Sequence, residues 1–382
     1  MPAHHAVASC LALLALVALP AAQAGENASI RFSGRLHYDT ARFNNDGRGT
    51  AERHGDDLRA AWLAASGKLY GLDYKVEGDF APHKPVARDV YIARRFGANT
   101  VTLGQFKQYF SLDDRISSNH IATIERSWLA QTLAPGYRLG LGMNGSGGDA
   151  FWSGSIYSLE SIDAWKVKGR GAGVRAGYAP WHAPGHVLHL GASLAREQQD
   201  NPGMGNAAAL RVRPRTAGYF ADNSRLPLVE FRNGRDVTVN KFGAEAAGVH
   251  GAWSWQAEYG GARYDDGEQT ADVRAGYVQG SWLLTGEARS YDARAGRFVQ
   301  LKPTDGTGAL ELVARYDHIK GRQRPLLRRE LSAEAWTLGV NWYAARHMRV
   351  MVDLTDSRSR NVLTSTTLDH TRVLAGRVQL DF

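Results

Sequence analysis

The stretch IRFSGRLHYD, residues 30–39, sets Ile30, Phe32, Leu36 and Tyr38 on one side of an extended chain and Arg31, Ser33, Arg35, His37 and Asp39 on the other. Side chains of a strand point alternately to opposite faces, so this segment meets an apolar medium on one side and water on the other. LDYKVEGDF (residues 72–80) repeats the pattern, with Leu72, Tyr74, Val76 and Phe80 against Asp73, Lys75, Glu77 and Asp79. So do LELVARYD (310–317), WTLGVNW (336–342) and MRVMVDL (348–354). The longer alternations run for about 9 to 11 residues, the length a tilted strand needs to cross a bilayer. Helical periodicity is almost absent.

Sixteen such segments begin near Ile30, Leu58, Leu72, Arg88, Asn99, Tyr137, Ala150, Ala172, Val187, Val239, Gly251, Val273, Ala309, Ala335, His347 and Thr371. Longer connections tend to follow odd-numbered segments, as at 41–57, 107–136 and 197–238, and short ones follow most even segments. The expected fold is all-β: a 16-stranded antiparallel transmembrane β-barrel with tight turns in the periplasm and long loops outside. The connection 288–308 breaks the alternation, being long where a tight turn is expected. A barrel of this size encloses a wet lumen. Arg31, Arg35, Lys75, Arg315, Arg349 and Arg377 face it, with Asp39, Asp73, Glu77, Glu311 and Asp353. Because the wall is mixed in sign, selectivity falls to whatever narrows it. The third outer connection, within residues 103–142, carries Phe106, Tyr109, Phe110, Ile116, Ile121 and Ile124, too many apolar residues for a solvated loop. It is expected to fold inward and pack on the wall. Ten Trp and fifteen Tyr, several near strand ends, suit interfacial girdles.

Residues 1–24 read as a signal peptide, with the apolar run LALLALVALP (11–20) and small residues Ala22 and Ala24 before Gly25. The run is too short for a membrane helix. Its removal takes away Cys10, the only cysteine, and leaves residues 25–382 as the barrel domain, without disulfide or thiolate-metal chemistry. All 46 Lys and Arg and 38 Asp and Glu lie beyond it, so the net charge of +8 belongs to the exported protein and suits an anionic partner. Export makes nucleic acid the least suitable.

LRVRPRTA (residues 210–217) places Arg211, Arg213 and Arg215 on one side of an extended segment. Same-face neighbours sit about 7 Å apart and repel by about 2 kcal/mol at an effective dielectric of 20. Either the segment is a solvated loop, where salt removes that cost, or it is a row of donors in a narrow wet space, where an anion offsets it. Pro214 lacks the N–H that a central strand needs, which favours a loop laid along the lumen.

GQFKQYFSL (104–112), SSNHIATIERS (117–127) and LAPGYRLGLG (133–142) resemble the central region of the phosphate-selective porin O and P family. GVHGAWSWQAEY (248–259), LLTGEARSYD (283–292), GALELVARYD (308–317) and LGVNWYAARHMRVMVD (338–353) resemble its later strands. The resemblance implies a homotrimeric outer-membrane porin passing phosphate, polyphosphate or other small anions, with an inward third loop. It assigns Ser117 and Ser118 as anion-holding serines, Arg126 as the downstream arginine, Arg115 at the place of a preceding lysine, and Arg211, Arg213 and Arg215 as rungs of an arginine path. Asn119 stands where a phosphate binder carries lysine, a change that weakens anion binding by about 1.5–3 kcal/mol. The terminal Phe382, at the end of VLAGRVQLDF (373–382), is the signal such barrels present to the assembly machinery. The surroundings implied are outer-membrane lipid and lipopolysaccharide.

Two other readings remain at this point. A general solute porin fits Asn119 and the nearby Asp113 and Asp114. A barrel enzyme or adhesin is less well matched, since the histidines are scattered and none lies in a nucleophile or HExxH setting. No cofactor or metal is expected.

Overall fold

Alternation in sequence becomes alternation of environment. In the strand Ala309–Arg324 the odd residues from Ala309 to Gln323 are buried, and the even residues are exposed or partly so. The computed structural model describes residues 28–382 apart from 47, 49–51, 53, 164–167, 201–209, 222–224, 233, 305 and 325–327. The proposed leader, 1–24, lies outside the described residues.

The first nine strands are β1 (Ala28–Asn45), β2 (Gly55–Leu69), β3 (Leu72–Asp79), β4 (Val86–Phe96), β5 (Asn99–Lys107), β6 (Tyr137–Gly147), β7 (Ala150–Ser158), β8 (Gly169–Ala183) and β9 (His186–Gln199). Two short strands follow, β10 (Leu210–Val212) and β11 (Val229–Phe231), then β12 (Val237–His250), β13 (Trp253–Asp265) and β14 (Thr270–Leu283). Another short pair, β15 (Tyr291–Asp292) and β16 (Arg297–Phe298), precedes β17 (Ala309–Arg324), β18 (Arg329–Ala345), β19 (Met348–Asn361) and β20 (Thr366–Asp381). Sixteen of these close an antiparallel barrel in chain order, with β1 paired to β20. The expected fold class holds, and the expected starts track the observed ones; the widest offset is Ala335 against Arg329.

The wall is uneven in height. β3, β5 and β7 span 8 or 9 residues, whereas β17 to β20 span 14 to 17. The hydrophobic core lies inside the lumen, because loops supply its second layer. Phe110, Leu129 and Leu133 of the third outer loop pack with Leu228, Val229 and Phe231 of the fifth and with the inner faces of Val273, Ala275 and Ile319.

The connection 284–308, unexplained by the alternation, also turns inward. Its β15–β16 hairpin buries Phe298 beneath the third loop against Leu112, Ile116, Val187 and Val249. Arg175 of β8 holds the hairpin tip through Nη2 to the Gly296 carbonyl at 2.6 Å. Gly296 has φ +57, a conformation that favours glycine, and any Cβ there would strike the Phe151 ring.

Candidate functional site: the lumen constriction

The third loop, residues 108–136, is built from two short helices with an extended run between them. Ser111 caps α1 (Leu112–Arg115), its hydroxyl accepting from Asp114 N, and holds φ 64 to do so. Ser127 caps α2 (Trp128–Leu133) in the same way through Ala130 N. Helices this short leave most of their backbone groups without intrahelical partners. The barrel wall supplies them. Glu258 of β13 accepts from Leu112 N and Asp113 N at 2.9 and 2.7 Å. Asp317 of β17 accepts from Trp128 N at 3.1 Å, and Asp353 of β19 from Ile124 N at 2.7 Å. Asn341 and Arg349 donate to the Ala122 and Ile121 carbonyls at 2.7 and 2.8 Å. Wall carboxylates thus face loop N–H groups, and wall donors face loop carbonyls.

The loop leaves a cavity of about 680 Å³ between its inner edge and the β1–β7 wall. Arg215 and Tyr219 of the fifth loop line it on the outer side, and Arg294 and Arg297 of the 284–308 connection on the periplasmic side, so it extends past the third loop. At its centre Arg35 of β1 donates from Nη1 to Ser118 Oγ at 2.9 Å and Ser117 Oγ at 3.3 Å. The Arg35 guanidinium also lies 4.2 Å from the Trp62 ring centre and 3.5 Å from Glu77. Lys75 pairs with Asp89 at 2.8 Å and Glu77 at 3.1 Å.

The predicted residues divide. Ser117, Ser118, Arg115, Arg126, Arg35, Lys75 and Arg215 all line the cavity. Arg115 and Arg126 brace the loop as well. Arg115 stacks over Tyr109 at 5.0 Å, and Arg126 donates to the Asp113 and Ile116 carbonyls. Asn119 does not line it: His37, which does, donates from Nε2 to Asn119 Oδ1 at 2.9 Å, and Gln379 donates to the Asn119 carbonyl at 3.1 Å. Arg31 is exposed and lies apart from the lining. Arg211 and Arg213 border a second cavity of about 410 Å³ above, and Arg215 borders both. Val212 and Pro214 are buried between these arginines, so the predicted alternation is real. Arg211 lies 2.8 Å from Glu230 in the β10–β11 hairpin. Asp113 accepts from Ser127 N at 2.8 Å, and Asp114 pairs with Lys107 at 3.2 Å, so both acids near the serines have partners.

Sequence reasoning missed Arg59, Arg88, Arg294 and Arg297 in the lining. Arg59 sits at a bulge where the β1–β2 register shifts, which breaks strict parity. Arg294 and Arg297 belong to the inward connection, whose Phe298 and Leu301 are the signal that it packs. His120, on the third loop, is lowered to about 3 by burial and then by Arg35, Arg349, Arg297 and Arg289. It stays neutral at physiological pH. The arrangement can hold and hand on an anion through guanidinium and hydroxyl donors. Among the described residues no group of three or more His, Cys, Asp or Glu is placed to hold a metal ion.

Residues 30–382 match the family described as phosphate-selective porin O and P. The chain belongs to that family. The porin is 29% identical to Porin O of Pseudomonas aeruginosa over 360 residues, covering 82% of this chain and 80% of the relative. Its fold is similar to that of OmpT, an outer membrane protein of Vibrio cholerae in trimer form, with TM-score 0.61, 12% identity, and coverage of 94% and 100%. The anion-selective porin from Comamonas acidovorans gives 0.58, 11% identity, and coverage of 93% and 100%. Family and fold together make this an outer-membrane porin.

Proposed function

We propose that the porin passes small anions, phosphate or chemically similar solutes, by passive diffusion, and that Arg35, Ser117, Ser118, Arg115 and Arg126 form its narrow site. The observation that carries this reading is the contact of Arg35 with both serines. The wall supplies there the cation that position 119 lacks. Arg215, with Arg211 and Arg213 above it, supports an outer approach, and Arg294 and Arg297 an exit. The family's description, phosphate-selective, and that of the Comamonas acidovorans porin, anion-selective, agree with it. In a planar bilayer under a KCl gradient the reversal potential should be anion-selective, and added phosphate should block the chloride current in a saturable way. A cation-selective reversal potential overturns the reading. Replacing Arg211, Arg213 and Arg215 together with Ala should lower anion preference and on-rate; unchanged selectivity returns them to a solvated loop.

Asn119 turned to His37 favours a second reading, a general anion porin without a tight phosphate site. Phosphate block that fails to saturate distinguishes it. In either case the porin acts as a channel and not as a catalyst.

A homotrimer is supported by the low β3–β7 wall, whose exposed outward residues Ile92, Leu103, Leu141, Met143 and Ile156 are aliphatic or Met apart from Phe96 at the end of β4, while every strongly exposed Trp among the described residues lies on β8–β18. Oligomers that resist SDS until heated are expected, and a monomer in mild detergent overturns the assignment. Cleavage after Ala24 is read out by the mass of the protein from outer membranes, and Phe382 is the segment offered to the assembly machinery.

A further inference from the structure

A tight turn is enough to join neighbouring antiparallel strands, so the 284–308 connection is far longer than pairing β14 with β17 requires. Its extra length is spent beneath the third loop. Arg289 donates from Nη2 to the His120 carbonyl at 3.0 Å and from Nη1 to Gln256 Oε1 at 3.3 Å, and its guanidinium lies 4.5 Å from the Phe298 ring centre. Gln256 passes the contact on. Its Nε2 donates to Tyr277 Oη at 2.8 Å, and that hydroxyl donates to Glu258 Oε1 at 2.8 Å, the carboxylate that accepts from Leu112 N and Asp113 N. Arg297, in β16 of the same connection, donates from Nη1 to the Arg115 carbonyl at 3.2 Å.

These contacts bracket the serines. Residues 115 and 120 flank a turn in which His120 N donates to the Ser117 carbonyl at 2.8 Å and Asn119 N to Ser117 Oγ at 3.3 Å. The two guanidinium groups therefore fix the carbonyls on either side of Ser117 and Ser118, whose hydroxyls meet Arg35. Arg289 is 5% exposed, and among the described residues no carboxylate pairs with it. A buried cation without a counter-charge is costly, and its field favours any anion that comes near. Burial, and after it Arg35, Arg349, Arg297 and Arg289, hold the His120 ring well below its ordinary pKa, so positive charge from β1, β19 and the connection converges on this turn.

We propose that Arg289 and Arg297 are positioning residues of the constriction: from the periplasmic side they hold the 115–120 segment so that Ser117 and Ser118 face the anion path, and Arg289 adds its charge behind them. The filter is accordingly built from two connections, one entering from each side of the membrane. The proposal rests on the reading of Arg35, Ser117 and Ser118 as the narrow site.

Phosphate block of the chloride current through the full porin in a planar bilayer, joined to limited proteolysis of the same protein in detergent, tests it. Arg289→Gln should raise the half-blocking phosphate concentration about fivefold or more. Arg289→Lys, which keeps the charge and a donor, should recover most of that loss, and Arg289→Gln/Arg297→Gln should exceed it. Phe298 and the Arg175 anchor remain in every variant, so the protease pattern around residues 290–300 should stay that of wild type. A weaker block that comes only with a released hairpin and raised conductance overturns the proposal, because the arginines would then merely anchor the connection. Arg289→Lys no better than Arg289→Gln also overturns it. Wild-type current that phosphate does not block overturns the narrow-site reading and this proposal together, whereas equal block of wild type and double variant overturns this proposal alone.

Discussion

Arg35 concentrates the chemistry of the constriction in one side chain. It touches Ser117, Ser118, Glu77 and the Trp62 ring at once, so its head is preorganised. Arg35→Ala removes a charge-assisted donor worth about 1.5–3 kcal/mol to an anion. The expected result is phosphate block of chloride current weakened about tenfold or more, measured by current titration; unchanged block would move the site elsewhere in the lumen. His120 gives a prediction in pH. Its folded value, about 3, lies below the ordinary 6.5 of the unfolded chain, so between these values the unfolded chain binds the extra proton. Stability therefore falls as pH drops from about 6.5 towards 3. His120→Gln removes that share, and the melting of the barrel on semi-native gels should become less acid-sensitive. Identical pH dependence for both proteins contradicts the assignment.

At the scale of elements, the third loop is fastened by wall carboxylates and the 284–308 connection by Arg175. Glu258→Gln keeps the shape but leaves one acceptor oxygen where two N–H groups converge. A buried N–H without a partner costs about 1–3 kcal/mol, so the variant should melt earlier and show noisier open-channel current. A quiet channel of wild-type stability would mean the loop is held by packing alone. Arg175→Ala removes the donor to Gly296 and the partner of Glu245 at 2.6 Å. Freed from its anchor, the hairpin should raise conductance and change the periplasmic protease pattern around residues 290–300, which limited proteolysis reads directly. These fastenings were only half legible. Parity put Arg315, Arg349 and Asp353 on the inner face, and the apolar content of 103–142 announced an inward loop. Parity says nothing about which inner residue meets which loop atom, because that depends on the stagger of closure between distant strands. Asn119 shows the limit: the resemblance assigns it to the binding position, and no sequence rule says that its side chain accepts from His37 of β1.

For the whole molecule, strand number and order could be read from the sequence because lipid outside and water inside impose a period of two along every crossing. The inward connection at 284–308 follows no such rule; Phe298 and Leu301 signal that it packs, but not that its partner surface is formed by β8, β9 and β12. One consequence concerns the order of assembly. Ile124 N finds its acceptor 229 residues later, at Asp353, and Trp128 N finds one 189 residues later, at Asp317. The third loop therefore has no complete footing until β17 to β20 have paired and the barrel has closed on β1. The constriction is the last feature the molecule acquires: a chain stalled before its final strands presents an opening that its loop does not yet narrow, so the timing of closure bears on leakage as much as the loop does.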